Sequence, residues 1–165
     1  MKKVSEYKSF VLYEYTPTMT KPFFMDLEKL TIRRRIRMLQ AYLFGYRVYY
    51  LRENDEYVAY CLVQSGKDSR YKFATENDIM VGPYFVSEKH RGRRLSIILL
   101  ELVLAQTSFK YNYAYDYIHE DNIPSIKASK AVGFEEYRRA IVNKYTRSLH
   151  IRDDGDYYIL KYINR

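Results

Sequence analysis

A short basic turn, Arg91-Gly92-Arg93-Arg94, stands between an apolar strand-like run and the most apolar helix-like run of the chain. The start of a helix presents backbone N–H groups without intrahelical partners, together with the positive end of the helix dipole. Arginine side chains at such a place add charge and hydrogen-bond donors for phosphate oxygens. The pattern therefore favours binding of a pyrophosphate. An exposed basic turn without a ligand is the alternative, because short glycine–arginine patterns also recur by chance.

A second segment, Asn122 to Phe134, has the pattern of a capped helix that a glycine terminates. Asn122 is a favoured N-cap residue, Pro124 suits the first turn, and Gly133 suits the position after the last turn. The predicted helix covers Pro124 to Val132. Asn122 therefore caps this helix or contacts a ligand at its start, and capping alone is the more common role.

Together the two segments resemble the acyl-coenzyme A (acyl-CoA) motifs of the GNAT family of N-acetyltransferases. Arg91 and Gly92 match the start of the first family motif, Gln/Arg-x-x-Gly-x-Gly/Ala. Arg94 stands where the first motif glycine is expected, and Ser96 replaces the last small residue. The second motif keeps its asparagine, the small residue three positions on, and the Gly-Phe pair eleven and twelve positions on. The resemblance covers roughly Asp78 to Val142, with both motifs in the family's order.

The resemblance implies a single acyl-CoA-binding domain over residues 1–165 with a mixed α/β (α+β) fold. The central sheet is expected to be mostly antiparallel, with about six to seven strands and about four flanking helices. It should splay between the family's fourth and fifth strands, which correspond here to the runs beginning at Asp78 and Tyr111. The implied cosubstrate is acetyl-CoA or another acyl-CoA, with no metal. The residues implied in cofactor binding are Phe85, Val86, Arg91, Gly92, Arg93, Arg94, Leu95, Ser96, Asn122, Ser125 and Ser129.

Arg94 is expected to alter the phosphate contact without abolishing binding, because a side chain now occupies a turn that usually brings backbone close to phosphate. Acyl transfer from a thioester also needs a neutral amine, a donor for the thioester oxygen and an acid for the leaving thiolate. The family commonly supplies that acid as a tyrosine seven residues after the motif asparagine, where Ser129 stands here. A serine hydroxyl is a poorer acid than a phenol. Either water or another residue therefore acts as the acid, or catalysis relies mainly on positioning of the substrates. Ser129 alternatively only hydrogen-bonds the cofactor.

A general base is expected where the family's sheet splays. Asp78 begins one of the two strands concerned, and Asp116, His119 and Glu120 lie near the end of the other. His119 is the preferred base because the unperturbed pKa of histidine lies near neutrality. An exposed loop histidine is the alternative for His119, and Asp78 and Glu120 are alternatively solvated strand ends. The candidate catalytic residues are therefore His119, Asp78 and Ser129.

The acceptor is expected to be a primary amine on a small molecule. Gly82-Pro83 and the run Asn-Ile-Pro-Ser-Ile-Lys resemble a GNAT subgroup associated with bacterial surface-polysaccharide genes. That resemblance implies an amino sugar, carried on a nucleotide. A cleft rich in tyrosine suits sugar stacking, although packing explains the 20 tyrosines of the chain equally well. Protein N-termini, polyamines and antibiotics stay open as acceptors.

Two other functions are considered. The net charge of +8 and the arginines Arg33, Arg34, Arg35 and Arg37 are compatible with a nucleic-acid-binding module. A solvated helix face explains such a run more often, so nucleic acid is not the expected partner. A GNAT-like domain that binds acyl-CoA without turnover is the other alternative, because Arg94 and Ser129 alter chemically important positions.

Hydrophobic periodicity and turn residues predict an order of β-α-α-β-β-β-α-β-α-β-β. The strands are Ser9–Tyr15, Tyr46–Leu51, Tyr57–Val63, Asp78–Val86, Tyr111–Ile118, Glu135–Val142 and Tyr157–Ile163. The helices are two short ones between Phe23 and Phe44 that change phase near Thr31, then Leu95–Gln106 and Pro124–Val132. Alternation predicts one face for Tyr111, Tyr113, Tyr115 and Tyr117. Glu53-Asn54-Asp55 predicts a hairpin turn, and Lys67 to Arg70 a polar loop.

The cysteine content and the apolar runs of the chain bear on its cellular compartment. Cys61, the single cysteine, lies in an apolar run and is predicted to be a small core residue without a disulfide or a metal cluster. Glu6 and Lys8 interrupt any signal-peptide core after the basic start, and the run Leu95 to Ala105 is too short to cross a bilayer. A cytoplasmic protein is expected, and a homodimer is left open.

Overall fold

The computed structural model describes residues 1–25, 27–28 and 31–164. The strands in this part of the chain are β1 (Lys2–Tyr7), β2 (Phe10–Tyr15), β3 (Tyr46–Glu53), β4 (Glu56–Ser65), β5 (Asp78–Val86), β6 (Tyr113–His119), β7 (Glu135–Val142), β8 (Leu149–Ile151) and β9 (Tyr157–Ile163). The α-helices are α1 (Ile32–Phe44), α2 (Leu95–Gln106) and α3 (Ile123–Val132). A short 3-10 turn, Glu88–His90, precedes α2.

All the strands belong to one sheet, in the order β1-β2-β3-β4-β5-β6-β9-β7-β8. Every neighbouring pair is antiparallel except β5 and β6, which are parallel. That parallel pairing lasts only from Asp78 to Met80 on β5 and from Tyr113 to Tyr115 on β6. Beyond this stretch β5 and β6 no longer pair with each other, although each stays paired with its other neighbour, so the sheet splays open between them. The predicted mixed α/β class and the splay are confirmed, with nine strands and three helices in the described residues where seven and four were predicted.

The helices cover the two faces of the sheet unequally. α2 and α3 pack on one face, where Leu99, Leu100 and Ile126 meet alternate apolar residues of β2 to β6. α1 packs on the other face through Met38 and Ala41. α2 is apolar on several sides and is largely buried, whereas the outer side of α1 exposes both basic and apolar residues. No helix in the described residues is long and apolar enough to cross a membrane.

The chain before α1 differs from the prediction of two helices. The described residues between Phe23 and Glu28 are bends, and the other residues of the predicted first helix lie outside the described residues. The helix begins only after Thr31, whose side chain caps it by accepting from the Arg34 backbone amide. The Tyr50 hydroxyl accepts a hydrogen bond from the backbone amide of Phe24 at 3.1 Å. This amide therefore has a hydrogen-bond partner although the segment is not helical.

Edge strands are the second difference. β1 and β8 lie at the two edges of the sheet and were not predicted, because each is short or polar and lacks clean alternation. The predicted hairpin between β3 and β4 is confirmed, with Asn54 and Asp55 both at positive φ (44° and 69°), as a two-residue turn requires.

One further prediction, on the tyrosines around β6, needs correction. Tyr113, Tyr115 and Tyr117 share one face as predicted, but Tyr111 precedes β6 and packs on the opposite face, where its hydroxyl donates to the carbonyl of Leu104 at 2.9 Å. Lys67 to Arg70 is a loop, as predicted, and it contains a buried ion pair between Asp68 and Arg70. Cys61 is buried in the core, as predicted.

Candidate active site

The splay between β5 and β6 opens beside an irregularity in β5. Cys61 of β4 pairs with Tyr84 and Val63 pairs with Val81, so β5 holds one extra residue around Gly82-Pro83. Gly82 has φ of +106°, a conformation that favours glycine, and its carbonyl accepts from the Gln64 side chain at 3.1 Å. Beyond this bulge the phenol of Tyr84 reaches α3, where it donates to the Ser125 carbonyl at 3.0 Å.

A hydroxyl–carboxyl cluster fills the gap between the two strands. Ser129 of α3 is fully buried, and its Oγ lies 2.8 Å from Oδ2 of Asp116 and 3.2 Å from the phenol oxygen of Tyr84. Asp116 is the first residue of β6 beyond the paired stretch and is only 4% exposed. When Asp116 is protonated, it can donate to Ser129, Ser129 to Tyr84, and Tyr84 to the Ser125 carbonyl. The cluster is therefore a continuous path for a proton.

Burial sets the electrostatics of this cluster. Burial raises the pKa of Asp116 to about 7, while hydrogen bonds from Ser129 and from the Tyr117 backbone oppose the rise. Burial, and then the neighbouring Asp116 carboxyl, also raise the pKa of Tyr84, so its phenol keeps its proton at neutral pH. A carboxyl that titrates near neutrality is suited to accept and release a proton under physiological conditions.

One cavity borders the cluster on the side of α2 and α3. It has a volume of about 370 Å³, and we call it the motif cavity. Its walls are Tyr84, Phe85, Val86, Arg91, Ser96, Asn122, Pro124 and Ser125. The structure thus brings together six of the residues predicted to bind cofactor, from segments that lie far apart in the sequence. Ser129 lies behind this wall, where the Tyr84 phenol contacts it.

The other predicted cofactor residues are adjacent and do not line the cavity. Leu95 is buried under the first turn of α2. Arg93 forms a bidentate ion pair with Glu53 of β3, at 2.7 and 2.8 Å, which ties the turn to the sheet. Arg94, at the N-cap position of α2, has a left-handed backbone (φ 58°) and makes no capping hydrogen bond with its side chain, while Gly92 is also left-handed (φ 79°). The turn therefore keeps at Arg94 a conformation that usually favours glycine.

Asn122 has the capping role that the sequence predicted, and its contact with a ligand stays a prediction. Its Oδ1 accepts from the Ser125 amide at 3.4 Å and so caps α3, and its side of the helix start also lines the motif cavity. Gly133 ends α3 with φ of +106°, as the sequence predicted.

A second cavity, of about 290 Å³, lies on the face covered by α1, and we call it the arginine cavity. Its walls are Arg34, Arg37, Met38, Gln64, Arg70, Tyr71, Gly82, Pro83, Asp116, Tyr117 and Arg147. Asp116 borders this cavity while it hydrogen-bonds Ser129, and Tyr84 borders the motif cavity. The cluster therefore connects two cavities on opposite faces of the sheet.

Two of the predicted catalytic residues, Asp78 and His119, line neither the motif cavity nor the arginine cavity. Asp78 stands at the paired end of β5, where its carboxylate accepts from the amide and hydroxyl of Thr75, both at 2.7 Å. His119 is partly exposed, 3.5 Å from Asp121 and from Asp156, and lines neither cavity. Catalytic roles for Asp78 and His119 stay predictions, and the geometry favours Asp116, which the sequence placed only among the alternatives.

Tyr84 was missed from the sequence. One pattern could have indicated it: a phenol directly after the Gly82-Pro83 pair, on the strand that leads into the basic turn. Ser129, by contrast, was found through the spacing from Asn122, and the structure places it against the phenol of Tyr84. The structure therefore places a phenol, from β5, against Ser129, the position at which the resemblance to the family implies a tyrosine.

No protein-family model matches the chain, and no curated protein matches its sequence. Solved structures do match. A GNAT-family acetyltransferase from Streptococcus pneumoniae is 11% identical, with a TM-score of 0.57 over 93% of this chain and 99% of that one. A putative acetyltransferase from Salmonella typhimurium, solved with its cofactor acetyl-CoA, is 15% identical, with a TM-score of 0.58 over 92% and 93%. An aminoglycoside N(6')acetyltransferase from Legionella pneumophila is 13% identical, with a TM-score of 0.57 over 92% and 91%. The chain therefore has the GNAT fold.

Proposed function

We propose that this chain is an acyl-CoA-dependent N-acetyltransferase that acts on a small primary amine. The observation that carries the proposal is the Tyr84–Ser129–Asp116 cluster, because it joins two cavities at the splay of a GNAT fold. Two substrates can approach such a cluster from opposite faces of the sheet, and one proton path lies between them. Similar folds in solved acetyltransferases, one of them with acetyl-CoA bound, support this assignment.

The motif cavity is the proposed site for acetyl-CoA. The start of α2 supplies backbone amides and a positive dipole end for phosphates, and Ser96 and Arg91 stand at that point of the cavity wall. Arg91 is held there by its hydrogen bond to the Val86 carbonyl at 3.3 Å. Tyr84 lines the same cavity at the end nearest Ser129. The reacting thioester is therefore proposed to lie beside Tyr84.

The cluster then moves protons in both directions. Asp116 accepts a proton from the amine as the nitrogen attacks the thioester carbonyl, so a C–N bond forms while the C–S bond breaks. Tyr84 gives a proton to the departing thiolate. Asp116 then gives the proton that it accepted to Ser129, and Ser129 gives its own proton to Tyr84, which restores the starting state. Neither Ser129 nor Tyr84 needs to be a strong acid, because the path supplies the proton that the leaving group consumes.

The arginine cavity is the proposed acceptor site. Its volume of about 290 Å³ suits a small molecule, near the lower end of typical ligand pockets. Tyr71 and Tyr117 contribute rings to its wall, and rings with polar tips suit a sugar that presents both apolar and hydroxyl surfaces. We therefore propose an amino sugar as the acceptor.

The test begins with acetyl-CoA and the full chain. Saturating acetyl-CoA should raise the melting temperature by several degrees, as expected for a ligand present at about a hundred times its Kd. Thiol release from acetyl-CoA in the presence of an amine panel that includes amino sugars then reports transfer. No thermal shift at millimolar acetyl-CoA would overturn the proposal.

Tyr84→Phe is the matched variant for this test, because it removes one oxygen from the cluster and retains the ring. It should keep the thermal shift and slow thiol release by about ten- to a hundredfold. A thermal shift without thiol release for any amine in the wild type would identify a binding domain without turnover. Salt-sensitive binding to nucleic acid that acetyl-CoA does not displace would favour a nucleic-acid module instead.

A further inference from the structure

The arginine cavity concentrates positive charge in a way that base catalysis does not require. Four guanidinium groups line it: Arg34 and Arg37 from α1, Arg70 from the loop before β5, and Arg147 from the loop before β8. Residues from three separate parts of the chain thus converge on one volume of about 290 Å³. Like charges so arranged repel one another unless anions lie among them.

Two of the four arginines have carboxylate partners within the protein. Arg34 bonds the carboxylate of Glu28 and the hydroxyl of Tyr60. Arg70 forms a buried ion pair with Asp68, with nitrogen–oxygen distances between 2.6 and 3.0 Å. These two side chains therefore serve mainly to build the wall of the cavity.

Arg37 and Arg147 differ from that pair. Among the residues that the structure describes, no carboxylate lies within ion-pair distance of either one. Burial lowers the pKa of Arg37, and the positive field of Arg147 lowers it further. Arg147 sits in a left-handed conformation (φ 61°) with its guanidinium 5.7 Å from the centre of the Tyr157 ring. The loop therefore holds a cation at the cavity at a cost in backbone strain.

We propose that Arg37 and Arg147 bind an oxyanion group, a phosphate or a carboxylate, that the acceptor amine carries. This inference rests on the proposed function, since it names the chemical class of the acceptor for the same site. Arginine suits the task because its planar donors match both oxyanions in a bidentate manner. Asp116, on the wall of the same cavity, can offset only one of the two charges, and the proposed mechanism assigns it to the amine. The acceptor would then be oriented by its anion with its amine toward Asp116.

The test measures anion binding without relying on turnover. Melting curves of the full chain, with and without saturating acetyl-CoA, are recorded at millimolar inorganic phosphate, pyrophosphate and malonate. We expect a rise of a few degrees in the wild type for at least one anion, and loss of most of that rise in the double variant Arg37→Gln/Arg147→Gln. Preference for pyrophosphate or phosphate indicates a phosphorylated acceptor, and preference for malonate a carboxylated one.

The matched control is Arg33→Gln, which removes an exposed arginine from the same helix outside the cavity. It should keep the anion shift. An equal shift in the double variant, no shift in the wild type, or an equal loss in Arg33→Gln would overturn the proposal. If the double variant does not melt cooperatively, the single variants Arg37→Gln and Arg147→Gln decide by the same criterion. Absence of the acetyl-CoA shift would count against the proposed function alone, because the anion shift is also read on the free chain.

Discussion

The motif cavity and the arginine cavity border the same proton path, yet the chain builds them by different means. The walls of the motif cavity come from two continuous segments, residues 84–96 and 122–125. The walls of the arginine cavity come from α1, β4, β5, β6 and two loops. A site made from local turns and helix starts leaves its pattern in the sequence. A site assembled by long-range packing leaves only scattered residues.

The two cavities also differ in how they hold charge. The arginines of the basic turn are exposed, and Arg93 is already paired with Glu53. In the arginine cavity, Arg37 and Arg147 are half-buried and lack a described carboxylate partner. Water and salt weaken charges of the first kind much more than those of the second. Backbone donors should therefore dominate binding in the motif cavity, and side-chain charge in the arginine cavity.

Asp116→Asn is the change expected to have the most different effects on the two cavities, because it should impair catalysis without weakening acetyl-CoA binding. An amide cannot accept the proton of the amine, so kcat should fall by about a hundred- to ten-thousandfold while the Kd for acetyl-CoA stays the same. In the wild type, kcat/KM should rise as pH increases through about 7, where Asp116 ionises. Steady-state thiol release between pH 5.5 and 9, with acetyl-CoA binding measured in parallel, tests both. A variant that retained the wild-type pH profile would show that another group is the base.

The same variant should change how stability depends on pH. The folded-state pKa of Asp116 is raised to about 7 from an ordinary value near 4, so the unfolded chain ionises first as pH rises. The contribution of Asp116 to stability is therefore fully present below about pH 4 and is lost progressively up to about pH 7. Over that window the loss amounts to roughly 2–4 kcal/mol, at 1.36 kcal/mol for each pKa unit.

Asp116→Asn lacks this titration, so its unfolding free energy relative to the wild type should rise by that amount between pH 4.5 and 8. Urea unfolding at the two pH values measures the difference. His119→Gln is the control, because His119 is partly exposed and borders neither cavity. Parallel pH curves for the wild type and Asp116→Asn would show that Asp116 ionises normally in the fold.

The sequence predicted what short-range rules govern. Asn122 and Gly133 delimit α3, and Asn54 and Asp55 form the hairpin, because caps and tight turns depend on a few adjacent residues. Tyr84 was not predicted, because its position depends on a bulge in β5 that places the phenol against α3. No alternation pattern in the sequence shows such a bulge.

Arginines illustrate the same limit. Arg33, Arg34, Arg35 and Arg37 were considered as one basic run, yet the fold buries Arg34 against Glu28 and turns Arg37 toward a cavity shared with Arg147. Only the packing of α1 and the path of the loop before β8 bring these groups together. His119 was preferred as base on its ordinary pKa, whereas burial places the pKa of an aspartate in the same range.

The smallest expected effect lies in the motif cavity and tests whether backbone donors dominate there. Arg91→Ala should raise the Kd for acetyl-CoA by about tenfold, the value of one charge-assisted hydrogen bond near 1.4 kcal/mol. Arg93→Ala should change that Kd by less than about twofold, because Arg93 is engaged with Glu53 and lines no part of the cavity. Isothermal titration at two salt concentrations measures both. A larger loss for Arg93→Ala than for Arg91→Ala would mean that acetyl-CoA displaces the ion pair with Glu53, and that side-chain charge governs both cavities alike.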